Sequence, residues 1–120
     1  MKVAITSQGK DLESQVDPRF GRAQAFIVVE TDSGDLEVVD NEQNLNAPQG
    51  AGIQAGKTVA ESGAEVVITG HCGPNAFRTL SAAGIKVVVG ARGTVGEVLE
   101  KFKSGELKPA EDADVQGHWV

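Results

Sequence analysis

The stretch Gly63–Phe102, GAEVVITGHCGPNAFRTLSAAGIKVVVGARGTVGEVLEKF, decides the fold. Two short apolar runs inside it, Val66–Thr69 and Ile85–Val89, alternate with segments whose apolar residues fall at helical spacing. Apolar runs without polar alternation suit strands buried on both faces of a parallel sheet. Pro74–Ala83 places Ala76, Leu80 and Ala83 on one helical face, with Gly84 as the stop. Thr94–Phe102 is the clearest helix. Val95, Val98, Leu99 and Phe102 recur at i, i+3, i+4 and i+7, and Thr94 and Glu97 stand at capping-box spacing.

On the N-terminal side of this stretch, Ile53, Gly56, Val59 and Ala60 share a face of a further helix that stops near Ser62-Gly63. Asn41–Gly50 is a loop of Asn, Gln and Pro. Before it the period changes from 3.6 to that of strands. Lys2–Thr6, Ala25–Glu30 and Leu36–Asp40 read as three strands, the last two joined by the turn residues Thr31–Asp35. These make an antiparallel meander. The later strands arrive by right-handed β–helix–β crossovers and run parallel to the first. The expected fold class is therefore α/β: a mixed five-stranded sheet, the first strand near its centre, with three helices. Residues 1–107 form one domain, and 108–120 an acidic, non-periodic tail.

The chain has 120 residues, room for one core. Aromatics are only 4% of it, so that core must be built from Val, Ile, Leu and Ala. A formal net charge of −6 disfavours nucleic acid and anionic membrane as partners chosen by bulk electrostatics. A single cysteine excludes an internal disulfide and suits a reducing compartment. The opening apolar run ends at Thr6, too short for a signal peptide, and no segment approaches a membrane span. A cytoplasmic protein is expected.

In such a sheet, ligands bind beyond the carboxyl ends of the parallel strands. Three glycine-rich segments lead into helices there: Gly50-Ala51-Gly52, Gly70-His71-Cys72-Gly73-Pro74-Asn75 and Gly90-Ala91-Arg92-Gly93-Thr94. Helix starts carry unpaired N–H groups and partial positive charge, which favour an anion. Gly50, Gly52, Ile53, Gly70, Gly73, Pro74, Asn75, Arg92, Gly93 and Thr94 are thus candidate binding residues. The plain alternative is that these glycines only make tight turns. A β-branched side chain at Gly52 is expected to obstruct a ligand more than it harms the fold. Asp17-Pro18-Arg19-Phe20-Gly21-Arg22 adds two arginines in an acidic chain, so Arg19, Phe20, Gly21 and Arg22 join the candidates. The alternative there is a solvated loop with Phe20 tucked into the core.

His71 and Cys72 are the candidate metal ligands. A thiol before a helix start is activated, yet neighbours on extended chain point to opposite faces, so His71 is badly placed as the base of Cys72. One cysteine cannot hold the usual four-ligand iron–sulfur cluster, so any bound cluster must bring its own sulfide. Gly50–Ala55 matches GxGxxA, but it does not follow a strand directly and no acid ends the Val66–Thr69 strand, so nucleotide binding is disfavoured. A Walker phosphate loop is not expected.

The succession Val16-Asp17-Pro18-Arg19-Phe20-Gly21-Arg22-Ala23, Gly50-Ala51-Gly52-Ile53 and Gly70-His71-Cys72-Gly73-Pro74-Asn75-Ala76 resembles the dinitrogenase iron–molybdenum cofactor biosynthesis family. The resemblance runs from Met1 to about Leu107. It implies a ribonuclease-H-like fold. It also implies carriage of a molybdenum–copper–sulfide cluster, or of a thiomolybdate-type precursor, held without covalent links, as small stand-alone members do. On this reading the chain is not an enzyme. Its partners are an inorganic metal–sulfide anion and proteins involved in cluster transfer or regulation. Nuclease chemistry needs carboxylates converging on two metal ions, and the strand Lys2–Thr6 carries none. Two other functions compete: a small regulatory or adaptor domain docking a protein through the same loop edge, and a thiol enzyme using Cys72.

Overall fold

The computed structural model describes residues 1–41 and 51–109. The expected loop up to Gly50, and the tail from residue 110, lie outside the described residues. The elements are β1 (Lys2–Ser7), β2 (Ala25–Glu30), β3 (Leu36–Asp40), α1 (Ala51–Glu61), β4 (Val66–Ile68), α2 (Pro74–Ala82), β5 (Lys86–Val88) and α3 (Val95–Lys103). They form one five-stranded sheet in the order β3-β2-β1-β4-β5. β1 pairs antiparallel with β2 and parallel with β4. β2 and β3 are antiparallel, and β4 and β5 parallel. The expected mixed sheet with three helices is the one observed, with β1 at its centre.

Alternation along each strand divides the core between two faces. Ala4, Phe26, Val28, Val67 and Val87 meet Ala55 and Val59 of α1 and Ala76 and Leu80 of α2. Val3, Ile5, Ile27, Val66, Ile68 and Val88 meet Val95, Val98 and Leu99 of α3. β1 is apolar on both faces because it is covered on both. Gly84 has φ +77°, the left-handed turn expected where α2 stops.

The inward face of α1 differs from the expected one. Ala55, Gly56 and Val59 are buried, while Ile53 is 37% exposed and Ala60 faces solvent. The cause is the neighbouring helix. A Cβ on Gly52 would lie 3.1 Å from Ala76 Cβ, and one on Gly56 would lie 2.8 Å from Thr79 Cγ2. Close approach to α2 turns the small residues of α1 inward, and the larger Ile53 goes outside.

The capping box of α3 forms as its spacing predicts. Thr94 Oγ1 accepts from Glu97 N at 3.1 Å, and Thr94 N donates to Glu97 Oε1 at 3.0 Å. Thr94→Ala is expected to lose about 1 kcal/mol, read from the urea midpoint. The Thr94 N–H holds the Glu97 carboxyl below its ordinary range. A lowered carboxyl pKa contributes stability above the unfolded value, and this is lost as pH falls through the folded value. Stability of Glu97→Gln should therefore decline less steeply than that of wild type on acidification, as followed by thermal melts.

Candidate functional site at the carboxyl edge of the parallel strands

The segment between β1 and β2 builds this edge, and the composition of residues 7–24 gives little sign of it. The segment doubles back on β1, with Gln8 N donating to Gln15 O at 2.9 Å and Asp17 N to Thr6 O at 3.0 Å. It then crosses the ends of the other parallel strands. Val16 N donates to Gly93 O at 2.9 Å beyond β5. Beyond β4, His71 N donates to Pro18 O at 2.8 Å and Phe20 N to His71 O at 3.2 Å. A single polar-looking loop is thus hydrogen-bonded to three strand ends.

This stitching separates the expected helix-start sites. The start of α3 is already occupied: Val95 N donates to Ser14 O at 2.9 Å, Gly96 N to Leu12 O at 2.8 Å, and Glu97 N to its own cap. The structure gives Gly93 and Thr94 scaffold contacts there. Arg92 is exposed beside them and makes no hydrogen bond or ion pair among the described residues.

The other two helix starts do come together. The contacts Gly52–Ala76 and Gly56–Thr79 advance in the same direction along both helices, so α1 and α2 run side by side and begin at the same edge. Gly73 caps α2 with extended backbone and no side-chain hydrogen bond, and Pro74 is the first helical residue. The N–H groups of Asn75 and Ala76 have no acceptor among the described residues. Two positive helix ends therefore lie adjacent. Gly52 supplies the contact that lets them do so, a packing duty that the loop reading gives it no part in. Gly52→Val is expected to cost about 1–3 kcal/mol through overpacking, visible as a lower Tm before any ligand is added.

Gly70 is a second close approach. Its Cβ would sit 2.7 Å from Pro18 Cα, so the loop could not lie against β4 with any larger residue there. Phe20 is 2% exposed and stacks at a tilt on Phe26, 5.6 Å between ring centroids. It belongs to the core, the alternative left open for it. Gly21 is half-buried, and its carbonyl and that of Ala23 accept from Asn41 Nδ2. Arg22 is half-buried and already engaged. Arg19 has a 63% exposed side chain and its backbone pairs with His71. His71 is exposed, whereas Cys72 is 1% exposed among Phe20, Ala55 and Ala76. The two point to opposite sides, as expected of neighbours on extended chain. Among the described residues, no three His, Cys, Asp or Glu side chains gather to hold a bare metal ion. Gly50 lies outside the described residues.

The triplet Gly56-Lys57-Thr58, which the sequence reading overlooks, closes a Walker loop in other chains. Here the position five residues before Gly56 is Ala51, not glycine, and the triplet lies within α1. Rejection of a phosphate loop therefore stands on spacing and helix.

Together these features define a small α/β domain in which the starts of α1 and α2 lie side by side at the carboxyl edge of its parallel strands. The profile of the dinitrogenase iron-molybdenum cofactor family matches residues 1–105, and the chain belongs to that family. It is similar to the apo form of the orange protein from Desulfovibrio gigas: 41% identity, TM-score 0.93, with 95% of this chain and 96% of that one covered. It is also similar to a Thermotoga protein provisionally named NifB, at 42% identity and TM-score 0.79, with 90% and 91% covered. An uncharacterized protein of Methanocaldococcus jannaschii is 26% identical over 114 residues, 92% of each chain. No helix among the described residues is long and apolar enough to cross a membrane.

Proposed function

We propose that the chain binds and carries an anionic metal–sulfide cluster, of molybdenum with or without copper, or its thiomolybdate-type precursor, and catalyses no reaction. Membership of the iron-molybdenum cofactor family supports metal-cluster binding or biosynthesis as the general role. The observation that carries the finer reading is the adjacent pair of helix starts, α1 and α2, beside the exposed Arg19 and His71. This donor set fits a cargo that brings its own sulfide ligands. N–H groups and a guanidinium meet the outer sulfurs, while the one thiol of the motif is packed in the core.

A protein of net charge −6 repels such an anion at long range, so affinity must come from contacts. Each charge-assisted hydrogen bond contributes roughly 1.5–3 kcal/mol. The strand order with only β2 reversed supports the ribonuclease-H-like description of the sheet. β1, KVAITS, has no carboxylate for nuclease metals, so that likeness brings no nuclease activity with it. A cytoplasmic location completes the reading.

The test is reconstitution with tetrathiomolybdate and copper, then desalting, metal analysis and a visible spectrum. Cys72→Ala should retain substantial metal. Arg19→Ala combined with Arg22→Ala should bind about tenfold more weakly, about 1.4 kcal/mol. A Cys72 variant that emerges metal-free, beside a fully loaded arginine variant, would show a thiolate-ligand site instead.

A further inference from the structure

Asp17 is the only buried carboxylate among the described residues, at 2% exposure. A buried charge without compensation is strongly unfavourable, so its partners define its purpose. Its backbone is held to β1 at both polar atoms: Asp17 N donates to Thr6 O at 3.0 Å, and Thr6 Oγ1 donates to Asp17 O at 2.7 Å. Thr6 in turn shares a 2.9 Å hydrogen bond with Thr69 at the end of β4. The carboxylate is thus mounted on the two central parallel strands. From there Oδ1 accepts from Arg19 N at 2.9 Å and lies 3.5 Å from Arg19 Nε. The Arg19 side chain, 63% exposed, is otherwise in solvent. The one ion pair of the guanidinium among the described residues is thus made through Nε, on a stretch of backbone that bridges to His71.

We propose that Asp17 is a positioning residue for cargo binding: it fixes Arg19 so that both Nη groups are presented to the anion. This rests on the reading of the edge as a metal–sulfide site. Arginine suits the task because its planar fork can serve two partners at once, whereas a lysine ammonium is a point charge on a flexible stem. Ordering Arg19 beforehand removes part of the side-chain entropy that binding would otherwise cost.

The sign of one substitution separates this from simple electrostatics. Asp17→Asn keeps the Oδ1 acceptor for Arg19 N and removes a negative charge close to the site. By Coulomb's law alone it should tighten anion binding. If Asp17 positions Arg19, it should weaken binding of tetrathiomolybdate by about threefold or more, and leave binding unchanged or tighter in an Arg19→Ala background. Arg19→Lys, which keeps the charge but not the grip, should weaken binding similarly and also become insensitive to Asp17→Asn. Titration of the full chain with tetrathiomolybdate measures all of these, with Tm recorded for each variant. NMR relaxation of Arg19 Nε–H gives a readout without cargo: ordered in wild type, mobile in Asp17→Asn.

Unchanged or tighter binding by Asp17→Asn overturns the inference while leaving the functional reading intact. So does weakening that persists in Arg19→Ala, which marks a structural role. A wild-type chain that takes up no tetrathiomolybdate overturns the functional reading, and the inference with it.

Discussion

Gly70→Ala is expected to be among the most damaging small substitutions in the chain, although it adds one methyl group and breaks no hydrogen bond. The new Cβ would meet Pro18 Cα at 2.7 Å and Pro18 O at 2.9 Å. Both are backbone atoms, so no rotamer change relieves the clash. Pro18 cannot retreat either, because its carbonyl accepts from His71 N at 2.8 Å and the next residues are tied to the same strand end. The loop must lift from β4 or the end of β4 must bend. Overpacking of this kind costs about 1–3 kcal/mol, and a backbone-on-backbone contact belongs at or above the top of that range. For a domain of this size the expected fall in Tm is about 10 °C or more. Metal uptake should fall with it, since Arg19 and His71 sit on the two segments forced apart. A variant with unchanged Tm would show that the loop is not seated on β4 as described.

Phe20→Ala is the second large effect. Phe20 is 2% exposed and lies against Phe26, Ala23 and the α1–α2 cluster. Removing a buried phenylalanine ring costs about 3–5 kcal/mol, the range depending on how far the surroundings collapse. The chain should unfold at markedly lower denaturant concentration, with little change in m-value. Phe20→Leu keeps most of the volume and should recover most of the stability. The pair also settles what Phe20 does. If it only anchors the loop, Phe20→Leu should bind tetrathiomolybdate like wild type. If its ring touched the cargo, Phe20→Leu would lose affinity at near-normal stability.

Both predictions arise from one segment, Ser7–Gln24, and that segment marks where sequence reading stops. Strands and helices were legible because each follows a local rule. The apolar runs at β4 and β5, the 3.6 spacing of Val95, Val98, Leu99 and Phe102, and the Thr94–Glu97 box each recur at short range in the chain. Even the sheet order followed, since β–helix–β units demand parallel neighbours and hairpins demand antiparallel ones. The inward face expected for Ile53 was misjudged because helical spacing locates an apolar stripe but cannot weigh a glycine drawn toward another helix.

By itself, then, the sequence determined the layered α/β architecture, the capped start of α3, and the opposite facing of His71 and Cys72, all set by backbone periodicity and neighbours within a few residues. Only the tertiary structure decided which glycines are turns and which are contacts. Gly52 and Gly70 are small because Ala76 and Pro18 occupy the space beside them, residues distant in the chain. It also decided that the start of α3 is spent on Ser14 and Leu12 carbonyls, that Phe20 is core, and that a buried Asp17 holds Arg19. Hydrogen bonds and excluded volume between segments far apart in sequence leave no periodic trace, so composition alone could mark the rim residues as candidates but not sort scaffold from site.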